Sequence, residues 1–319
     1  MYNIQDYIIQ CLDSCANQIS TESDDFEVII VNDGSVDNSP RLVQEFINNK
    51  PSFRMINREN GGLSAARNTG LFEAEGEYVW FVDGDDAIAP NAISVLKHYI
   101  DEYRCDAYLH NFSTFEKKEL LSTSDFHGYP QILSGKEIHD KYLRILPMMA
   151  WLTVYKRSVL LDNHLRFKEG IIHEDMEFSI RGHHCARTIK FVPESLYFYR
   201  VARIDSIMND SRKENTRSLV SEIEIIKSFK AFFQNEDSPF SRKVIGMCST
   251  SFLIRRYDDS FVENDTTLYL LSKYKTEIYR DMWRSRQWKR RALLVLIICL
   301  PHNIVAILLH KLGERSKLM

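Results

Sequence analysis

Carboxylates stand in three arrangements that could do chemistry. The first is Asp83-Gly84-Asp85-Asp86, which closes the apolar and aromatic run Tyr78-Val79-Trp80-Phe81-Val82. Two aspartates either side of a glycine can aim oxygens at one hard cation, and a cation held there would bridge the phosphates of a nucleotide. The second is Asp33, at the end of the run Phe26 to Val31 and followed by Gly34 and Ser35. The third is Glu174-Asp175, which follows the turn at Gly170. Each has a plain structural alternative. An acidic turn can cap a helix starting near Pro90, and a carboxylate pair at a helix head is favoured by free N–H groups and by the dipole.

The elements that must position these groups follow from periodicity. Ile4, Tyr7, Ile8, Cys11, Leu12 and Cys15 recur at helical spacing, with Asn3 as the expected N-cap. The runs before Asp33 and Asp83 have the pattern of strands buried on both faces that open into a site at their C-terminal ends. A helix from Ser39 to Asn48 and a short strand from Arg54 to Asn57 lie between them, followed by Asn60-Gly61-Gly62-Leu63-Ser64-Ala65-Ala66-Arg67-Asn68. The two glycines free the backbone for a tight approach, and the small residues suit a closely packed helix. Alternating strands and helices predict a doubly wound α/β sheet over residues 1–110, with Asp33, the Gly61 loop and Asp83/Asp85 along one edge. Residues 111–217 supply a second half of the same domain. It contains a strand from Ala107 to Phe112, a helix from Lys136 to Leu146, the apolar stretch Met148 to Tyr155 as a wall of the site, and a strand from Phe191 to Arg200. The segment Arg203 to Arg217 is expected to be mobile. Residues 218–287 read as packing helices, and 288–319 as a separate tail.

Composition narrows the function. With 319 residues the chain can bury a sizeable core, and 41 Lys and Arg against 44 Asp and Glu give no global field that would favour nucleic acid. The six cysteines form no C-x-x-C pair, which fits reduced thiols in a cytoplasmic protein better than a disulfide or zinc framework. His183, His184 and Cys185 are adjacent and lack the spacing of metal ligands. The N-terminus has no apolar stretch of the kind a signal peptide needs.

Taken in order, Tyr2-Asn3, Val31-Asn32-Asp33-Gly34-Ser35, Asn60-Gly61-Gly62 through Asn68, and Phe81-Val82-Asp83-Gly84-Asp85-Asp86 resemble glycosyltransferase family 2. This is the inverting GT-A type that builds bacterial polysaccharide and lipopolysaccharide. His173-Glu174-Asp175 and Tyr199-Arg200 with Ser206-Ile207 resemble the acceptor half of the same family. The resemblance covers about residues 1–210. It implies a GT-A, Rossmann-like sheet and transfer of a sugar from a nucleotide-diphosphate donor to a hydroxyl of a glycan or lipid-linked acceptor. By it Asp33 holds the uracil or ribose, Tyr2 stacks near the base, and Gly61, Gly62 and Arg67 line the donor pocket. Asp83 and Asp85 hold a divalent metal, Mg or Mn, and Asp175 is the general base with Glu174 in support. The alternatives are a catalytically silent nucleotide-sugar-binding relative and a nucleotidyltransferase. The latter would carry a basic, glycine-rich signature near its first strand.

Two further expectations concern the ends. Ala292 to Leu309 holds 15 apolar residues in 18 and has basic residues on both sides. As a helix it would be about 27 Å long, short of a hydrocarbon core of roughly 30 Å, and Pro301, His302 and Asn303 interrupt it. That pattern predicts an anchor on the cytoplasmic membrane face, with a buried helix pair as the alternative. The resembling family also begins with a buried strand ending in Pro-x-Tyr-Asn, whereas here Met1 directly precedes Tyr2-Asn3. The first strand is thus missing from the expected sheet. The expectation is that Met1 is an internal methionine of a longer reading frame, or that the chain is a crippled fragment.

Overall fold

The computed structural model describes residues 1–22, 25–115, 132–142, 148–201, 214–254, 265–285 and 292–295. The chain divides into two compact units, Met1–Gly170 with Glu174–Arg203, and Ile171–His173 with Ile204–Met319.

The first unit opens on α1 (Ile8–Ala16), which turns Ile8, Cys11, Leu12 and Cys15 inward as their spacing predicts. Asn3 is not its cap. The helix starts after Tyr7, and Asn3 has a positive φ of 49°. The Asn3 side chain accepts from the Val36 N–H at 2.9 Å, so it is used across to the loop after the next strand. That strand is β1 (Val28–Asp33), which α2 (Ser39–Ile47) connects to β2 (Phe53–Arg58) in parallel register, Asp33 opposite Arg58. Met1 adds one rung on the other side of β1, its N-terminal group donating to the Val31 carbonyl and its own carbonyl accepting from the Asp33 N–H. Next, α3 (Leu63–Glu73) packs on β1, with Ser64, Ala65 and Ala66 buried where larger side chains would hold the helix off the sheet.

The run before Asp83 differs from expectation. Only β3 (Tyr78–Val79) forms a ladder, because its single strand partner among the described residues is the antiparallel β7 (Thr153–Lys156). Burial alternates along the run: Val79 and Phe81 are in the core, while Tyr78, Trp80 and Val82 are half-buried. It is therefore not buried on both faces. After the aspartate turn come β4 (Ala87–Ile88), α4 (Ala92–Tyr103), β5 (Ala107–Thr114), β6 (Ile132–Leu133) and α5 (Gly135–Tyr142). A 3-10 turn at Ala150–Leu152 leads into β7, followed by α6 (Arg157–Asp162), α7 (Glu174–Cys185) and β8 (Ile189–Tyr199). The larger sheet runs β3-β7-β5-β8-β4, with β6 also on β8. In it β5 and β8 are parallel and the other pairs antiparallel, while β1 and β2 form a separate two-stranded sheet.

Aromatic side chains fill the core beneath this sheet. Trp151 lies flat on Tyr197 at 4.3 Å between ring centres and also stacks on Tyr199. Phe167 stacks on Phe178 at 3.8 Å, and Phe81 meets both edge-on. The stretch Met148 to Tyr155 thus supplies more core than wall, since Trp151 and Tyr155 are both fully buried. His183, at the end of α7, is buried and bonded to the Thr153 hydroxyl at 2.9 Å, a packing role that fits its adjacency to His184.

In the second unit, α8 (Glu214–Phe232), α9 (Pro239–Ile254) and α10 (Asp265–Arg284) pack together, α9 touching both others. Leu219, Ile223, Ile226, Phe229, Val244, Phe252, Ile278 and Met282 make the core, following the helical spacing seen in the sequence. Residues 202–213, which include Ser206-Ile207 and most of the segment expected to be mobile, lie outside the described residues. So does the tail, apart from residues 292–295, and no described helix is long and apolar enough to cross a membrane.

Candidate active site

All the carboxylates singled out in the sequence belong to the first unit, and two groups of them form. The first is at the end of β1. Asp33 is 2% exposed, and its carboxylate accepts from the Gly61 N–H at 3.1 Å, the Gly62 N–H at 2.8 Å and the Arg58 guanidinium. Gly62, at φ +88°, takes a backbone conformation that a side chain would strain, and it directs its N–H at Asp33. The Asn60 amide donates to the Asp33 carbonyl at 2.9 Å, an approach left open by Gly34, where an added Cβ would stand 3.0 Å from the Asn60 nitrogen. Asp33 thereby holds the whole loop that leads into α3. Tyr2 is 50% exposed and follows Met1, the residue that pairs with Asp33.

The second group forms around Arg67, which is 8% exposed in the first turns of α3. Its guanidinium donates to Asp83 Oδ1 at 2.8 Å, to Glu174 Oε1 at 3.1 Å and to Asp175 Oδ1. One buried cation thus joins the carboxylate at the end of the β3 run to the pair at the head of α7, which lies more than a hundred residues beyond Arg67 in sequence. Asp175 is held at its other oxygen as well, by the Ala150 N–H at 3.2 Å. Burial and the adjacent Asp175 charge push the Glu174 carboxyl up to about 7, against the opposing pull of Arg67. Arg67 itself stays protonated, because the surrounding carboxylates outweigh its burial.

The aspartate turn is anchored from behind. The Asp86 N–H donates to the Asp83 carbonyl at 3.0 Å, closing the turn. Asp86 is 2% exposed; burial and the neighbouring Asp83 charge raise its carboxyl, against the opposing hydrogen bonds from the Tyr197 hydroxyl and the Arg200 N–H. Asp85 is half-buried, and its carbonyl accepts from Arg200 Nε at 2.8 Å. Arg200 and Tyr197 come from the end of β8, so the Arg200 of Tyr199-Arg200 holds the aspartate turn. Arg58, Asp86, Tyr197 and the Ala150 N–H are the site contacts that sequence reading missed. Asp86 alone left a signal, as a third carboxylate in a turn that needs only two for a cation.

Comparison with known proteins gives this arrangement its family. The model of glycosyl transferase family 2 matches residues 1–162. EpsH of Bacillus subtilis, which bears a glycosyltransferase name, is 30% identical over 294 residues, 89% of this chain and 78% of EpsH. The chain belongs to glycosyltransferase family 2. The glycosyltransferase GlyA of Streptococcus pneumoniae is 32% identical over 212 residues, a match that takes in 64% of this chain and 30% of GlyA. Among solved structures, residues 1–349 of TarS from Staphylococcus aureus in complex with UDP-GlcNAc superpose with a TM-score of 0.67 at 20% identity, covering 96% of this chain and 87% of that one. The mannosyltransferase PcManGT of Pyrobaculum calidifontis, solved with GDP-Man and Mn2+, superposes with a TM-score of 0.51 at 15% identity, covering 97% of this chain and 84% of that one. These likenesses establish a GT-A fold for the enzyme, and its relatives establish glycosyl transfer as its class of activity.

Proposed function

We propose that the enzyme is an inverting transferase that moves a sugar from a nucleotide-diphosphate donor to a hydroxyl of a glycan or lipid-linked acceptor. The observation that carries this reading is the convergence of Asp83 and Asp175 on Arg67, which brings a donor-side carboxylate and a base candidate to one place. Asp83 and Asp85 fit a divalent metal, Mg or Mn. Among the described residues no group of three or more His, Cys, Asp or Glu side chains is arranged to hold a metal ion. Two carboxylates are what a magnesium-like ion takes when substrate phosphates and water complete its shell. Such an ion would offset the negative charge that develops on the departing diphosphate.

The protein's own groups do the rest. Asp175, oriented by Arg67 and the Ala150 N–H, takes the proton of the acceptor hydroxyl as its oxygen bonds to the anomeric carbon. The bond from that carbon to the diphosphate breaks on the opposite side, and its electron pair leaves with the phosphate oxygen. One base and no protein nucleophile give inversion. Glu174 supports Asp175 by sharing Arg67 with it. Asp33 fixes the glycine loop and faces the nucleoside with Tyr2, and Gly61, Gly62 and Arg67 line the donor pocket.

A panel of nucleotide sugars, assayed for release of the nucleoside diphosphate with Mn2+ or with excess chelator, tests the reading. One donor should be turned over in the presence of metal. Binding without any turnover across the panel and a range of glycan acceptors would favour the catalytically silent relative. Attachment to the inner face of the cytoplasmic membrane through the tail belongs to the same proposal, supported by the apolar run and its basic flanks. Deletion of residues 288–319 should move the protein to the soluble fraction, and full-length protein found entirely there would refute the anchor.

A further inference from the structure

The aspartate turn is more heavily braced than a surface turn needs to be, and the brace comes from one strand end. Tyr197 is fully buried, its ring lying flat on Trp151. Its hydroxyl oxygen accepts from the Asp83 N–H at 3.1 Å, and its proton goes to Asp86 Oδ2 at 2.7 Å. The other Asp86 oxygen accepts from the Arg200 N–H at 2.8 Å. The Arg200 side chain reaches past it to the Asp85 carbonyl and, at 2.6 Å, to Gln10 Oε1 on α1. Its guanidinium lies over the Phe115 ring at 4.2 Å. Pairing of Ala87 with Phe198 fixes the register of the two strand ends that carry these groups.

We infer that the Tyr197 hydroxyl, set by Asp86 and Arg200, is a positioning group that fixes the backbone of Asp83 and Asp85 and so aims their carboxylates at the cation. This rests on the metal reading proposed above. The physical reason is that Asp83 has few other ways to hold its direction. Its side chain is shared with Arg67, so the aim of the other carboxylate oxygen depends on the backbone at Asp83, whose N–H donates to the Tyr197 hydroxyl. A buried group that loses its partner is costly, whereas the ring of Tyr197 needs no hydroxyl to stay stacked. Asp86→Asn tests the same chain from the other end. An asparagine oxygen can still accept from Arg200, but its amide would face the Tyr197 hydroxyl as a donor and leave that proton without an acceptor.

The test compares wild type, Tyr197→Phe, Asp86→Asn and the stack control Tyr199→Phe by two readouts. The first is Mn2+ affinity in the presence of UDP, followed by the electron paramagnetic resonance signal of free Mn2+. The second is hydrogen exchange of the Asp83 amide, which needs no metal. Tyr197→Phe and Asp86→Asn should each weaken Mn2+ binding about tenfold and speed Asp83 exchange by a similar factor, with the fold retained and melting temperatures lowered by only a few degrees. Tyr199→Phe should match wild type in both. Mn2+ affinity within twofold of wild type and unchanged exchange in Tyr197→Phe would overturn the inference. Failure of Tyr197→Phe to fold would also overturn it, since the hydroxyl would then be a general structural support. If wild type binds no Mn2+ while Asp83 exchange still accelerates in the two variants, the metal reading falls and the brace stands.

Discussion

Replacing Asp175 with Asn should lower turnover by roughly a hundredfold or more while leaving donor affinity nearly unchanged. Asparagine keeps the shape of the side chain, and its one acceptor oxygen can keep either the Ala150 N–H or the Arg67 donor, while Glu174 still holds Arg67, so the head of α7 should remain in place. What it loses is the ability to take a proton from the acceptor. Steady-state kinetics with varied donor and saturating acceptor separates the two effects. A fall in donor affinity with turnover intact would make Asp175 a helix-capping group whose link to Arg67 is structural.

Asp85→Ala should abolish metal-dependent transfer with little loss of stability. Its side chain is half-buried at the end of the turn, and its carbonyl, which Arg200 holds, is a backbone group that alanine retains. Asp83 could not take over as sole ligand, because part of its carboxylate is committed to Arg67. Activity is measured over a Mn2+ titration beside the melting temperature. Full activity of the variant at ordinary metal levels, or full activity of wild type in excess chelator, would remove the metal assignment for this pair.

Local signals carried much of the architecture. The spacing of Ile8, Cys11, Leu12 and Cys15 marks α1, and the apolar run ending at Asp33 marks β1, because both depend on residues close in sequence. Asn3 misled because its side chain serves Val36, a partner that capping rules cannot see. The run ending at Asp83 misled for a different reason. Composition reports the apolar content of a strand, but pairing length is set by its neighbours, and β7 pairs with only Tyr78 and Val79. At the site, the types of the chemical residues were legible while their connections were not. Arg67 reads as one more residue in a small-residue helix start. Its three carboxylate partners come from the β3 run and from α7, and no sequence spacing encodes that meeting. Tyr197 is harder still, since it reads as a core aromatic, which its ring is, while its hydroxyl contacts with Asp83 and Asp86 leave no mark in the pattern.

If Asp83 takes a cation as proposed, the sharing of Arg67 makes cation binding and proton binding a linked pair of equilibria. A cation that draws Asp83 away leaves the guanidinium to Glu174 and Asp175, and a fuller positive charge beside Glu174 weakens its hold on a proton. Linkage is reciprocal, so the loss of that proton must strengthen cation binding by the same factor. Under the metal reading proposed above, arrival of the donor complex would therefore drive the acceptor side toward its ionised form.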